Sequence, residues 1–161
     1  MNKLRVAVIG TGMIANSAHF PALNILREEG LAEGVGVADI RPEAAEETAK
    51  RHSVEKWYAD PQQMLEELKP DFVAVCTPNQ YHKEWTIKAL QAGAHVACEK
   101  PIALTLADAK EMWAAAEKYN RHLFPCQCMR WRSYMQKSKE LVESGELGEV
   151  YFSDIAFIRR I

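Results

Sequence analysis

Short continuous apolar runs alternate along the chain with longer segments whose apolar residues return every three or four positions. The first period predicts buried strands and the second amphipathic helices. Residues 4–9 predict a strand, 12–29 a helix and 35–40 a second strand, after which Pro42 opens a helix at its first position. Residues 56–59 predict a short third strand. Asp60 then caps a helix that begins at Pro61 and carries Met64, Leu65 and Leu68 on one face. Residues 71–76 predict a central strand, followed by the turn Thr77-Pro78-Asn79 and a helix to about residue 92 that Gly93 closes. Residues 95–98 form the fifth predicted strand. Thr105 and Asp108 approximate a capping box for a helix to about residue 120, and residues 123–128 predict a sixth strand. Strand–helix alternation of this kind implies an α/β fold, a doubly wound parallel sheet with helices on both faces. The pattern then changes to a helix over 133–144, glycines at 145 and 148, and an alternating, half-exposed strand over 150–158. The expected division is a domain over 1–125 and the start of a second, α+β domain over 126–161.

Composition narrows the function. Of 161 residues, 48% are hydrophobic and 26% charged, as in a globular chain with its own core. Twenty Lys and Arg against 22 Asp and Glu leave a net charge of −2, without the basic excess that nucleic acid binding needs. The opening apolar run is too short for a signal-peptide core or a membrane span, so no membrane partner and a cytoplasmic location are expected. Cys76, Cys98, Cys126 and Cys128 are too few for a disulfide scaffold. Cys126 and Cys128 form a C-x-C pair, but no second Cys/His pair has zinc-site spacing, so no metal is expected.

The sharpest chemical signal is Gly10-Thr11-Gly12-Met13-Ile14-Ala15, a G-x-G-x-x-A between a strand and a helix. In a dinucleotide-binding turn the first glycine makes the bend, the second admits a pyrophosphate, and the third small residue lets the helix pack close. Asp39, at the end of the second predicted strand, is placed to accept the adenosine ribose hydroxyls and repel a 2′-phosphate, which favours NAD over NADP. Arg41 is either a solvated cation or a partner for that phosphate, so NADP stays open. Thr77, Pro78 and Asn79 are a turn and cap or a ligand edge. His82 is an exposed helix histidine or part of that edge. Lys100, between Glu99 and Pro101 in a short loop, suits proton transfer if it lies beside an oxidised nicotinamide.

Together GTGMIANSAHFPAL, the strand ending in Asp39, CTPNQYH, CEKP, CMRW and SGELGEV resemble the Gfo/Idh/MocA family of NAD(P)-dependent oxidoreductases, collinearly over nearly the whole chain. The resemblance implies an N-terminal Rossmann domain, a following α+β domain, and a sugar, cyclitol or related polyol as substrate. It implies pyrophosphate contacts from the loop of Gly10, Thr11, Gly12, Met13 and Ile14, and ribose contact from Asp39, with Arg41 beside it. It further implies that Thr77, Pro78, Asn79 and His82 border the nicotinamide side, with Gln127 and Arg130 near it. Glu99 and Lys100 would reach the nicotinamide ribose and the substrate, Lys100 as the catalytic residue. The Lys100–Pro101 bond is expected to be cis.

Members of that family continue through further strands that supply an Asp and a His beside the lysine. The 161 residues alone are therefore expected to turn over little or nothing, and a homo-oligomer formed through the strand at 150–158 is expected. The alternative is a non-catalytic nicotinamide-dinucleotide sensor or scaffold. A SAM-dependent methyltransferase also uses a glycine loop but leaves EKP and TPN unexplained.

Overall fold

The computed structural model describes residues 2–154 and residue 156. Six parallel strands form one sheet in the order β3-β2-β1-β4-β5-β6. These are β1 (Leu4–Ile9), β2 (Ala32–Ala38), β3 (Trp57–Tyr58), β4 (Phe72–Val75), β5 (His95–Cys98) and β6 (Leu123–Pro125). The helices between them are α1 (Phe20–Glu28), α2 (Pro42–His52), α3 (Pro61–Leu68), α4 (His82–Gln91) and α5 (Leu106–Lys118). A π-helical turn, Ala15–His19, leads directly into α1.

Strand alternation divides the core between the two faces. Ala7 and Ile9 of β1, with Val73 and Val75 of β4, pack with Met64, Leu65, Leu90 and Met112 of α3, α4 and α5. Val6, Val8 and Ala74 turn the other way, toward Phe20, Leu23 and Ala49 of α1 and α2. Small and branched residues buried on both faces are what a parallel sheet covered by crossover helices requires. The chain reverses direction across the sheet between β1 and β4, and a crevice opens at the carboxyl ends of strands on either side of such a point.

The predicted stops and starts rest on visible bonds. Asp60 accepts from the Gln62 amide at 2.8 Å, and Thr105 from the Asp108 amide at 3.1 Å. Gly93 takes φ +95° just past α4. Two strand boundaries differ from expectation by three residues. β2 begins at Ala32 rather than 35, because pairing with β1 from Leu4 onward recruits residues of weak strand preference, Glu33 and Gly34. β6 stops at Pro125 rather than 128: the last ladder bond runs from the Cys126 amide to Cys98 O, where β5 itself ends.

Residues from Gln127 onward form a second compact unit. It contains the 3-10 turn Cys128–Trp131 and α6 (Ser133–Glu143). The strand expected over 150–158 is not present in residues 150–154, which are irregular and exposed, because no strand among the described residues pairs with them. Residues 155 and 157–161, on which the rest of that expectation falls, lie outside the described residues. No helix among the described residues is long and apolar enough to cross a membrane.

Candidate functional site

The first unit bends sharply as it leaves β1. Gly10 has φ +95°, and a Cβ there would lie 2.6 Å from Cys76 O and 2.9 Å from the Thr77 amide nitrogen. Both conformation and crowding therefore require glycine. Gly12 differs: its φ is ordinary, and a Cβ would meet nothing within 4 Å. Its missing side chain matters only to something approaching from outside the chain. Asn16 donates to Thr11 O at 2.8 Å and Gly12 O at 3.2 Å and holds the loop from behind.

Asp39, just past β2, is buried beside this loop. Its Oδ2 accepts from the Thr11 amide at 2.9 Å and the Thr11 hydroxyl at 2.7 Å. Its Oδ1 accepts from the Arg41 amide at 3.0 Å and Arg41 Nε at 3.2 Å. Burial pushes the carboxyl pKa up, but the bonds from Thr11 and Arg41 outweigh it and hold the pKa below the usual 3.8. A lowered folded pKa stabilises above the unfolded value and is lost as pH falls through the folded one. The thermal midpoint of the wild type should therefore drop more steeply than that of Asp39→Asn as pH is lowered from about 4. Parallel midpoint curves would remove Asp39 from the acid transition.

The loop from Gly10 to Ile14, Asp39, Arg41, Thr77 and Pro78 line one cleft of about 580 Å³. The buried Thr77 hydroxyl oxygen has no hydrogen-bond partner among the described residues, and a bound polar group would satisfy it. The rim also includes Ile40, Pro61, Tyr81 and Trp85, which sequence reasoning missed. Exposed Met13 and Ile40 add apolar surface for a flat ring to cover.

A second cluster lies past the end of β5. Glu99 is buried, with Oε1 2.9 Å from His19 Nε2 and Oε2 accepting from the Lys100 amide at 3.1 Å. His19 was also missed. It reaches Glu99 from the π-helical turn, whose i→i+5 bond from the Phe20 amide to Ala15 O adds a residue to the first helical turn. Sequence periodicity carries no signal for that insertion. His19, Glu99 and Cys126 also place three possible ligand atoms within 4.8 Å of one another, and the direct His19–Glu99 contact already engages two of them. Lys100 follows a buried glutamate but is itself exposed. The Lys100–Pro101 bond is cis.

Two expected residues of the first unit, Asn79 and His82, stand apart from the cleft lining. Asn79 is exposed at the start of a 3-10 turn. His82 is fully buried, its ring between Thr77 O and Pro101 O, and so is neither an exposed helix histidine nor a wall of the cleft. The packing of α4 against the loop after β5 turns it inward. Gln127 and Arg130 belong to the second unit, and both are exposed. Burial pushes the Cys76 thiol well up and the Cys98 thiol to about 11, so neither is a ready nucleophile.

A glycine bend, an open second glycine, an acidic residue on the next strand and an orphaned hydroxyl suit the pyrophosphate and ribose of a dinucleotide. The model of the oxidoreductase family with an NAD-binding Rossmann fold, Gfo/Idh/MocA, matches residues 4–126. The chain belongs to this family. The D-glucoside 3-dehydrogenase of Escherichia coli K12 is 40% identical over 157 residues, covering 98% of this chain and 44% of that protein. The myo-inositol 2-dehydrogenase of Thermotoga maritima is 34% identical, covering 91% of this chain and 42% of its own. Among solved structures, the WlbA dehydrogenase of Chromobacterium violaceum, in complex with NADH and UDP-GlcNAcA, superposes with a TM-score of 0.86 at 34% identity. That match covers 94% of this chain and 43% of the other. The family member described here spans less than half the length of these three relatives.

Proposed function

We propose that this chain is the cofactor-binding part of an NAD-dependent dehydrogenase that moves a hydride between nicotinamide and a carbinol carbon of a sugar, cyclitol or related polyol. The observation that carries the reading is the cleft at the crossing between β1 and β4, where Gly12 stands open beside the buried Asp39. The relatives' names, a glucoside dehydrogenase and an inositol dehydrogenase, support the substrate class.

Gly10 sets the bend, and the loop from Thr11 to Ile14 receives the pyrophosphate through backbone N–H groups. Asp39 accepts from the adenosine ribose. Its four acceptor positions are already used by Thr11 and Arg41, so binding exchanges the bond from Arg41 Nε, whose side chain is 66% exposed, for a ribose hydroxyl. The carboxylate that remains disfavours a 2′-phosphate, which supports NAD over NADP. The Thr77 hydroxyl and Pro78 border the same cleft. Glu99, with Lys100, serves the ribose and substrate side. Asn79, His82, Gln127 and Arg130 act at or behind that side. Bound NAD supplies the hydride acceptor, and Lys100 takes the proton from the reacting hydroxyl. Turnover needs a second wall to hold the reacting carbons in contact.

Thermal unfolding with and without dinucleotide tests the reading. NAD at 100 times its dissociation constant should stabilise the chain by about 2.7 kcal/mol. At this chain length that is roughly 5–10 °C. NADP should give a smaller shift, and Asp39→Ala should abolish the NAD shift. An unmoved midpoint with both dinucleotides would falsify the cofactor assignment.

A further inference from the structure

Ala15, Phe20 and Leu23 all pack on one face of the sheet, at spacings of five and then three residues. An α-helix returns to the same face every three or four residues, so the five-residue step does not fit one. The π-helical turn Ala15–His19 takes up the extra residue and is closed by the bond from the Phe20 amide to Ala15 O. Such insertions are rare and are frequent at functional sites. This one ends on His19, whose side chain is 18% exposed and whose Nε2 lies 2.9 Å from Glu99 Oε1. The contact needs one proton between ring and carboxyl group. Either partner can supply it, so the bond does not depend on a charged ring.

Glu99 is fixed at both ends of its side chain. Its amide donates to Val75 O at 3.0 Å, which continues the ladder between β4 and β5. Its Oε2 accepts from the Lys100 amide at 3.1 Å, so the carboxyl group bears on how the chain leaves the strand. His19 engages the other oxygen from 80 residues away. We propose that His19 is a positioning residue: by holding Glu99 it sets that carboxyl group and, through it, the Lys100 backbone. The proposal rests on the roles given to Glu99 and Lys100 above. His19 lies in the turn that follows the loop from Gly10 to Ile14. Its bond to Glu99 therefore ties the segment assigned to the pyrophosphate to the segment assigned to the nicotinamide ribose and substrate. Hydride transfer tolerates little error in that spacing, since a misplacement of about 1 Å can cost about 10²-fold in rate.

Carbon-13 and nitrogen-15 spectra of the labelled chain without cofactor test the first link. His19→Leu and His19→Gln are alike in size and both lack the ring, but only the Gln side chain can bond Glu99. His19→Leu should move the Glu99 carboxyl carbon and the Lys100 amide, and His19→Gln should leave both nearer the wild type. Equal signals in the two variants overturn the positioning role. Where His19→Leu does not fold, His19→Ala takes its place. NAD titrations over a double-mutant cycle test the consequence. His19→Leu should weaken NAD binding about tenfold, the scale of one hydrogen bond. In the Glu99→Ala background the same substitution should change affinity less than about twofold. An equal loss in both backgrounds would mean that His19 does not act through Glu99, and would overturn the proposal. The spectra need no dinucleotide, so a chain that shows the Leu–Gln difference but binds no NAD counts against the proposed function alone.

Discussion

Gly10→Ala should lower the stability of the domain by about 2–6 kcal/mol, while Gly12→Ala should leave stability within about 0.5 kcal/mol and weaken dinucleotide binding. The two glycines are two residues apart in one motif, yet the chain needs them for different reasons. At position 10 an alanine would sit at φ +95°, which costs about 1–3 kcal/mol of backbone strain. Its Cβ would also press on Cys76 O and the Thr77 amide, backbone atoms of the central sheet region that cannot rotate away, for about 1–3 kcal/mol more. At position 12 the backbone is ordinary and the space empty, so the added methyl meets only a ligand. Affinity for NAD should fall about tenfold or more, equal to at least about 1.4 kcal/mol. Calorimetric unfolding and NAD titration of both variants separate the effects. Wild-type NAD affinity in Gly12→Ala would remove the pyrophosphate from this loop.

Lys100→Met, placed in a chain of the relatives' full length, should lower turnover by about 10²–10⁴-fold with little change in NAD affinity. Lys100 is exposed, with no ion pair among the described residues, so its loss should not disturb the fold. What the substitution removes is a group able to take and return the proton of the reacting hydroxyl. Lys100→Arg keeps the charge but cannot give up its proton, and should not restore turnover. Steady-state rates with a polyol substrate decide the matter: a loss below tenfold in Lys100→Met, or recovery in Lys100→Arg, assigns the proton transfer to another residue.

Much of the cofactor side was legible because its signals are local. Gly10, Gly12 and Ala15 follow a strand closely, Asp39 comes directly after the next one, and Asp60 and Thr105 announce helix starts through bonds two and three residues long. Boundaries were less legible where pairing decided them. Glu33 and Gly34 have weak strand preference and are recruited by β1, whereas Cys126 and Cys128 look like strand residues but lie past the point where β5 ends. His19 escaped notice because a π-helical insertion, invisible in a hydrophobic pattern, turns it toward a glutamate 80 residues away. Trp85 and Tyr81 read as ordinary helix and turn residues, and only the crossing of two chain segments makes them walls of a cleft.

The sequence by itself determined the order of strands and helices, the parallel sheet, the glycine bend and the acidic residue beside it. Each of these follows from side-chain periodicity or from backbone geometry over a few residues, which neighbours in the chain impose on one another. Only the tertiary structure decided that both Asp39 oxygens are already bonded, that Thr77 has an unsatisfied hydroxyl, and that His82 faces two carbonyls from different loops. Those facts depend on which distant segments meet, and on how many donors and acceptors each buried group finds there. Polar satisfaction is a property of the packed site, and no single stretch of the chain contains it.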